Sequence, residues 1–146
     1  MKSIKTMSID TKFLRRCLNT LEYCFKELEL RDPDEIAYDV YRAACVKEFE
    51  IILEQSGKLL RKVLGAYFAD NRQADRLVFK DIFRYASKHG LIDSDTCERW
   101  LLYQDNRNDT SHSYGKSFAE STIRLLPDFI TDAKVLADIM EGGDDG

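Results

Sequence analysis

Between Asp10 and Met140 apolar residues return at every third or fourth position, and no segment alternates at every second. That periodicity leaves no room for a sheet and asks for amphipathic helices throughout. In the first run Phe13, Leu14, Cys17, Leu18, Leu21, Cys24, Phe25 and Leu28 share a stripe, with Arg15, Arg16, Glu22, Lys26 and Glu29 off it, which predicts a helix over 10–30. Asp32-Pro33-Asp34-Glu35 reads as a helix start: Asp32 can cap, Pro33 suits the first turn, and Glu35 sits three after the cap. The helix behind it should run over 33–68, on Ile36, Val40, Ala44, Phe49, Ile52, Leu53, Leu59, Leu60, Val63, Leu64 and Tyr67. Gly57 and Gly65 cost it about 1 kcal/mol each against alanine, or else allow a close helix approach. Glu48 and Glu50 near its middle read as solvated.

A third helix is expected over 75–89, with Leu77, Val78, Phe79, Ile82, Phe83 and Ala86 inward and Gly90 ending it in a left-handed cap. His89 in its last turn is read as a cation suited to the helix dipole rather than as a catalytic group. A fourth should span 94–106 through Cys97, Trp100, Leu101 and Tyr103. The last, 116–140, is lined by Phe118, Ile123, Leu126, Phe129, Ile130, Ala133, Leu136 and Ile139, with Pro127 kinking it near Arg124. The expected fold is an all-α, up-and-down helical bundle of five helical segments.

At 146 residues the chain is read as a single helical domain, 1–146, with 1–8 and 141–146 flexible. No apolar run approaches the ~18 residues of a membrane span. The N-terminus also lacks an apolar signal region, so a cytoplasmic protein with no membrane partner is expected. Cys17, Cys24, Cys45 and Cys97 form no CxxC pair and read as buried free thiols rather than zinc ligands. The net charge of −4, from 22 basic and 26 acidic residues, argues against a protein that coats nucleic acid non-specifically. It leaves room for a small basic cleft.

One stretch stands apart. Arg107-Asn108-Asp109-Thr110-Ser111-His112-Ser113-Tyr114 packs a fixed cation, an amide, a carboxylate, three hydroxyls, an imidazole and a phenol between two core-facing helices. On residue types alone a solvated helix–helix loop has the same composition. Arg107 and His112 are five apart, so an unbroken helix would point them about 140° from one another. Thr110, Ser111 and Ser113 are poor helix-interior residues, and a break there would let both side chains turn into one cleft. Such a cleft suits RNA scission without a metal. Histidine, with a reference pKa of ~6.5, can take the proton from a ribose 2′-hydroxyl. Arginine offers paired donors to a phosphoryl group gaining negative charge.

The spacing Arg107…His112-Ser113-Tyr114, with Asn108 after the arginine, resembles the signature of HEPN domains. More closely, the stretch resembles the nucleotidyltransferase substrate-binding proteins, encoded beside a minimal nucleotidyltransferase (MNT), and the likeness extends from about Ala44 to Met140. The resemblance implies a HEPN four-helix core with an added helix. It also implies the toxin of a toxin–antitoxin pair: a metal-independent ribonuclease, needing no cofactor, that acts on RNA as a homodimer. Arg107 and His112 would be catalytic, Asn108 would support them, and Tyr114 would be the site that the partner MNT antitoxin modifies with AMP. A dimer built on the fourth and last helices is expected from the family and from Trp100, Tyr103 and Phe118 around the motif. A second reading is a non-catalytic subunit that binds a nucleotide or other substrate for its partner nucleotidyltransferase. A third is a helical adaptor in which the stretch is an ordinary loop.

Overall fold

A computed structural model describes residues 9–65, 76–108 and 116–142. They form five helices: α1 (Lys12–Glu29), α2 (Ile36–Leu64), α3 (Phe79–Lys88), α4 (Ser94–Asn108) and α5 (Lys116–Met140). No strand occurs among the described residues. Side-chain pairs fix the directions. Phe49 meets Phe129 and Tyr38 meets Glu120, so α2 and α5 run parallel. Lys134 reaches Glu22 and Arg15 reaches Asp138, so α1 is antiparallel to α5. Arg99 meets Asp132 and Asn106 meets Thr122, so α4 is antiparallel to it as well. The core is therefore an up-down-up-down bundle of α1, α2, α4 and α5, and α3 is the added segment, packed on α2 and α4.

The core stripe of α1 is Leu14, Cys17, Leu18, Leu21, Cys24 and Leu28, and it packs against Cys45, Phe49, Ile52 and Leu53 of α2. A ladder of rings crosses the middle of the molecule. Phe83 stacks on Trp100 at 4.7 Å, Trp100 meets Tyr103 edge-on at 5.4 Å, and Tyr103 meets Phe129 at 5.0 Å. Each such pair adds about 0.5–1.5 kcal/mol beyond its buried area. Trp100 and Tyr103 are therefore core residues of the bundle, which removes them as the interface aromatics expected from the sequence.

Several local signals act as expected. Gly90 adopts φ +79 after α3, and the N–H groups of Gly90 and Leu91 return to the carbonyls of Ser87 and Ala86. This is the left-handed C-terminal cap that glycine permits. At the start of α4, Asp93 Oδ1 accepts the Thr96 N–H at 2.8 Å, an N-cap bond that also holds the Asp93 carboxyl below its usual range. The four cysteines are buried and free. Burial pushes Cys17 up to about 11 and Cys45 up to about 12, so neither is a thiolate at neutral pH.

Other expectations shift. The Asp32–Glu35 box closes, with the Asp32 N–H on Glu35 Oε1, yet it forms a turn and α2 begins at Ile36 rather than Pro33. α3 begins at Phe79, four residues later than expected, and Val78 is 63% exposed. Ile36 and Val40 are exposed because they fall on the side of α2 opposite Tyr38, Tyr41 and Cys45. Phe13 is exposed one position off the stripe of α1. Glu48, read as solvated, instead buries its Oε1 and sets its carboxylate against the Cys17 thiol. α5 stays one helix across Pro127. Gly57 accommodates a close approach: a Cβ there would lie 2.8 Å from Cδ2 of Phe79.

Candidate functional site

α4 is the element that delivers the arginine. Its last turns are held from two sides. Toward α5, Arg99 Nε and Nη2 donate to the two oxygens of Asp132 at 2.8 and 2.9 Å, and the buried Tyr103 hydroxyl donates to Oδ2 at 2.5 Å. One turn on, Asn106 Nδ2 donates to Thr122 Oγ1 at 2.9 Å and its Oδ1 accepts Ser121 Oγ at 2.6 Å. Toward α3, Lys80 pairs with Asp105 at 2.5 Å. These bonds fix the rotation of α4, and with it the face on which residues 104 and 107 stand.

That face borders a groove of about 320 Å³ between α2, α3 and α4. Glu54, Lys58 and Arg61 of α2, Phe79 of α3, and Gln104 and Arg107 of α4 line it. The volume sits at the small end of the range for ligand pockets, enough for part of a nucleotide. Arg61 donates from Nη2 to the Leu77 carbonyl at 2.8 Å, which anchors the guanidinium, while its Nε–H is buried and unaccepted. Lys58 and Arg107 have no ion-pair partner among the described residues, unlike Arg15, Arg31, Arg42, Lys80, Arg84, Arg99 and Lys134. The groove thus gathers three cations against one carboxylate in a chain of net charge −4.

Of the residues singled out in the sequence, Arg107 and Asn108 are described. Both are exposed in the last turn of α4, which runs two residues past its expected end. His112 and Tyr114 lie outside the described residues, as does the break expected between Arg107 and His112. Asn106 is the amide bonded to α5. Lys58 and Arg61 escaped sequence reasoning because nothing local marks them; only the packing of α2 against α3 and α4 brings them to Arg107. His89 stacks on Tyr85 at the end of α3. Among the described residues no group of three or more His, Cys, Asp or Glu is placed to hold a metal ion, and no helix is long and apolar enough to cross a membrane.

The chain is 30% identical over 130 residues to a Haemophilus influenzae protein named "Probable ribonuclease HepT", covering 82% of this chain and 88% of that one. Its fold matches a Haemophilus influenzae structure described as the substrate binding domain of a nucleotidyltransferase, with TM-score 0.76 and 25% identity over 90% of this chain and 98% of that one. A crystal structure from Thermus thermophilus shares the fold at TM-score 0.67 and 24% identity, over 87% of this chain and 98% of that one. The family model described as "Nucleotidyltransferase substrate binding protein like" matches residues 10–142. A match that runs from before the first helix to past the last is a match to the whole bundle, and the chain belongs to the nucleotidyltransferase substrate-binding-protein-like family.

Proposed function

We propose that this chain is a metal-independent endoribonuclease, the toxin half of a HEPN/MNT pair, held in check by its partner nucleotidyltransferase. The observation that carries the reading is Arg107, set by a braced α4 at the edge of a cationic groove and followed in sequence by His112. The name of the 30% identical relative supports the same chemistry. His112 takes the proton from a ribose 2′-hydroxyl. The O2′–P bond forms as the P–O5′ bond breaks, and the leaving 5′-oxygen takes up a proton. The products are a 2′,3′-cyclic phosphate and a 5′-hydroxyl. Arg107 carries the charge that builds on the phosphoryl oxygens, and it never loses its own. Asn108 supports the pair.

The partner's role follows from Tyr114. A phenol with a reference pKa of ~10 is a poor nucleophile at neutral pH, so the nucleotidyltransferase must activate it. Its oxygen attacks the α-phosphorus of ATP and pyrophosphate leaves. The AMP so attached sits two residues from His112, where its phosphodiester charge pairs with Arg107 and repels incoming RNA. The active species is a homodimer on the α4/α5 face. There Leu102 is 53% exposed beside a second groove lined by Asp105, Ser121, Arg124 and Leu125.

The test is cleavage of RNA with metals chelated. Arg107→Ala and His112→Ala should each abolish it while the helical circular dichroism stays unchanged, and full activity in both variants eliminates the mechanism. Incubation with the partner, ATP and magnesium should add AMP at Tyr114. Modification elsewhere, or an unchanged adduct on Tyr114→Phe, eliminates that assignment. The second reading, nucleotide binding for the partner without cleavage, is favoured by the description of the structural relative as a substrate binding domain. It prevails if the wild type binds nucleotide through Arg107 and never cleaves.

A further inference from the structure

The groove extends well past Arg107, and the reaction uses only one edge of it. Arg107 closes the end formed by α4, while Lys58 and Arg61 stand on α2 across from it. The lining points to an anion resident there, since Lys58, Arg61 and Arg107 face one carboxylate across a groove of about 320 Å³. Lys58 is exposed and has no carboxylate partner among the described residues, so its ammonium is available to a ligand. Arg61 is held in place by the Leu77 carbonyl, so its remaining donors are positioned in advance. Glu54 is the opposing charge. The groove is still net cationic toward any phosphate, and the ribonuclease reading makes that phosphate an RNA phosphodiester.

We propose that Lys58 and Arg61 form a phosphodiester subsite that seats the backbone phosphate of a single-stranded RNA next to the one held at Arg107. The inference rests on the ribonuclease reading and deepens it: it gives the strand a path from the end of α4 across α2. Phe79 is locked over Gly57 and against Phe83, so the wall of the subsite is rigid, and its Cδ2 could not keep its place above any larger residue than glycine. Lys58 and Arg61 are positioning residues. They hold the strand in register and do not touch the reacting bond.

The experiment is a salt titration of binding, read by anisotropy, with a short fluorescent 2′-O-methyl RNA that cannot be cleaved. Each single-strand phosphate contact contributes a slope of about 0.7 in log K against log salt. Lys58→Ala should lower the slope by about that amount, and Lys58→Arg should restore it. Lys26→Ala removes the same charge from the solvent face of α1 and should leave the slope unchanged. Equal losses for Lys58→Ala and Lys26→Ala would overturn the subsite in favour of a diffuse field. An unchanged slope in Lys58→Ala alongside cleavage that depends on Arg107 and His112 would overturn it while leaving the ribonuclease reading intact. Lys58-dependent oligonucleotide binding without any cleavage would uphold the subsite and remove the ribonuclease. ATP binding that depends on Lys58, in the absence of oligonucleotide binding, would overturn the phosphodiester assignment.

Discussion

Removing the carboxylate of Asp132 is expected to destabilise the bundle measurably, and the cost can be worked from its partners. Asp132 is 5% exposed and accepts from the Arg99 guanidinium and from the Tyr103 hydroxyl. In Asp132→Ala the Tyr103 hydroxyl stays buried, at 1% exposure, with no acceptor, which costs about 1–3 kcal/mol. The side chain of Arg99 is 40% exposed, so water replaces much of what it loses, and its share is about 0–1 kcal/mol. The sum is about 1–4 kcal/mol. For a domain of this size that is a drop in Tm of roughly 3–12 °C. Denaturant titration of four proteins tests it: wild type, Asp132→Ala, Tyr103→Phe, and the double variant. The double variant should recover about 1 kcal/mol or more over Asp132→Ala, because Tyr103→Phe removes the stranded donor. A cost under about 0.5 kcal/mol for Asp132→Ala, below the lower end of the sum, refutes the reasoning. So does a double variant no more stable than the single.

Gly57→Ala gains about 1 kcal/mol of helix propensity but places a Cβ 2.8 and 2.9 Å from two ring carbons of Phe79, itself packed on Phe83 at 4.8 Å. Overpacking of about 1–3 kcal/mol outweighs the gain, so Tm should fall, and it should recover when Phe79→Leu is added; a rise in Tm for Gly57→Ala alone would show that the ring yields freely. Glu141 is held down to about 2, first by Arg15 and then by Thr11, with burial opposing. A carboxyl lowered on folding stabilises above its unfolded value of ~4.3 and loses that contribution as pH falls toward about 2. Acid unfolding of Glu141→Gln should therefore be flatter between those values than that of the wild type, and parallel curves would exclude the Arg15–Glu141 clamp as the cause.

What the sequence made legible was local. Gly90 ends α3 because only a residue tolerant of positive φ closes that cap, and the signal sits within three residues of the event. The bounds of α5 were readable because a long uniform stripe defines them. The misreadings arose where neighbouring elements decide. Val78 and Ile36 are apolar and within reach of the periodic pattern, yet no helix lies over them. Trp100 and Tyr103 look like interface anchors beside a polar motif until Phe83 and Phe129 are seen to cover them. The same holds for the site. Arg107 could be named from its own stretch, whereas Lys58 and Arg61 lie more than forty positions upstream and meet it only through the crossing of α2 and α4.

Net charge misleads about this groove for a related reason. Six of the 26 acidic side chains are engaged elsewhere, in bonds between helices. Glu22 holds Lys134, Glu120 holds Arg42, Asp105 holds Lys80, Asp132 holds Arg99, and Asp138 with Glu141 holds Arg15. Each pair is close to neutral at a distance. Charges farther than about 8 Å from the groove are also screened at physiological salt. A phosphate entering it therefore responds to Lys58, Arg61, Arg107 and Glu54 far more than to the excess of carboxylates over the whole surface. Local affinity for an anion and an overall repulsion of polyanions then coexist. Repulsion at long range disfavours non-specific coating of nucleic acid, and the local cations retain a strand once it is seated. Raising salt should weaken the seated contacts and the long-range repulsion together, so the net slope for the wild type should be shallower than its count of groove cations alone would give.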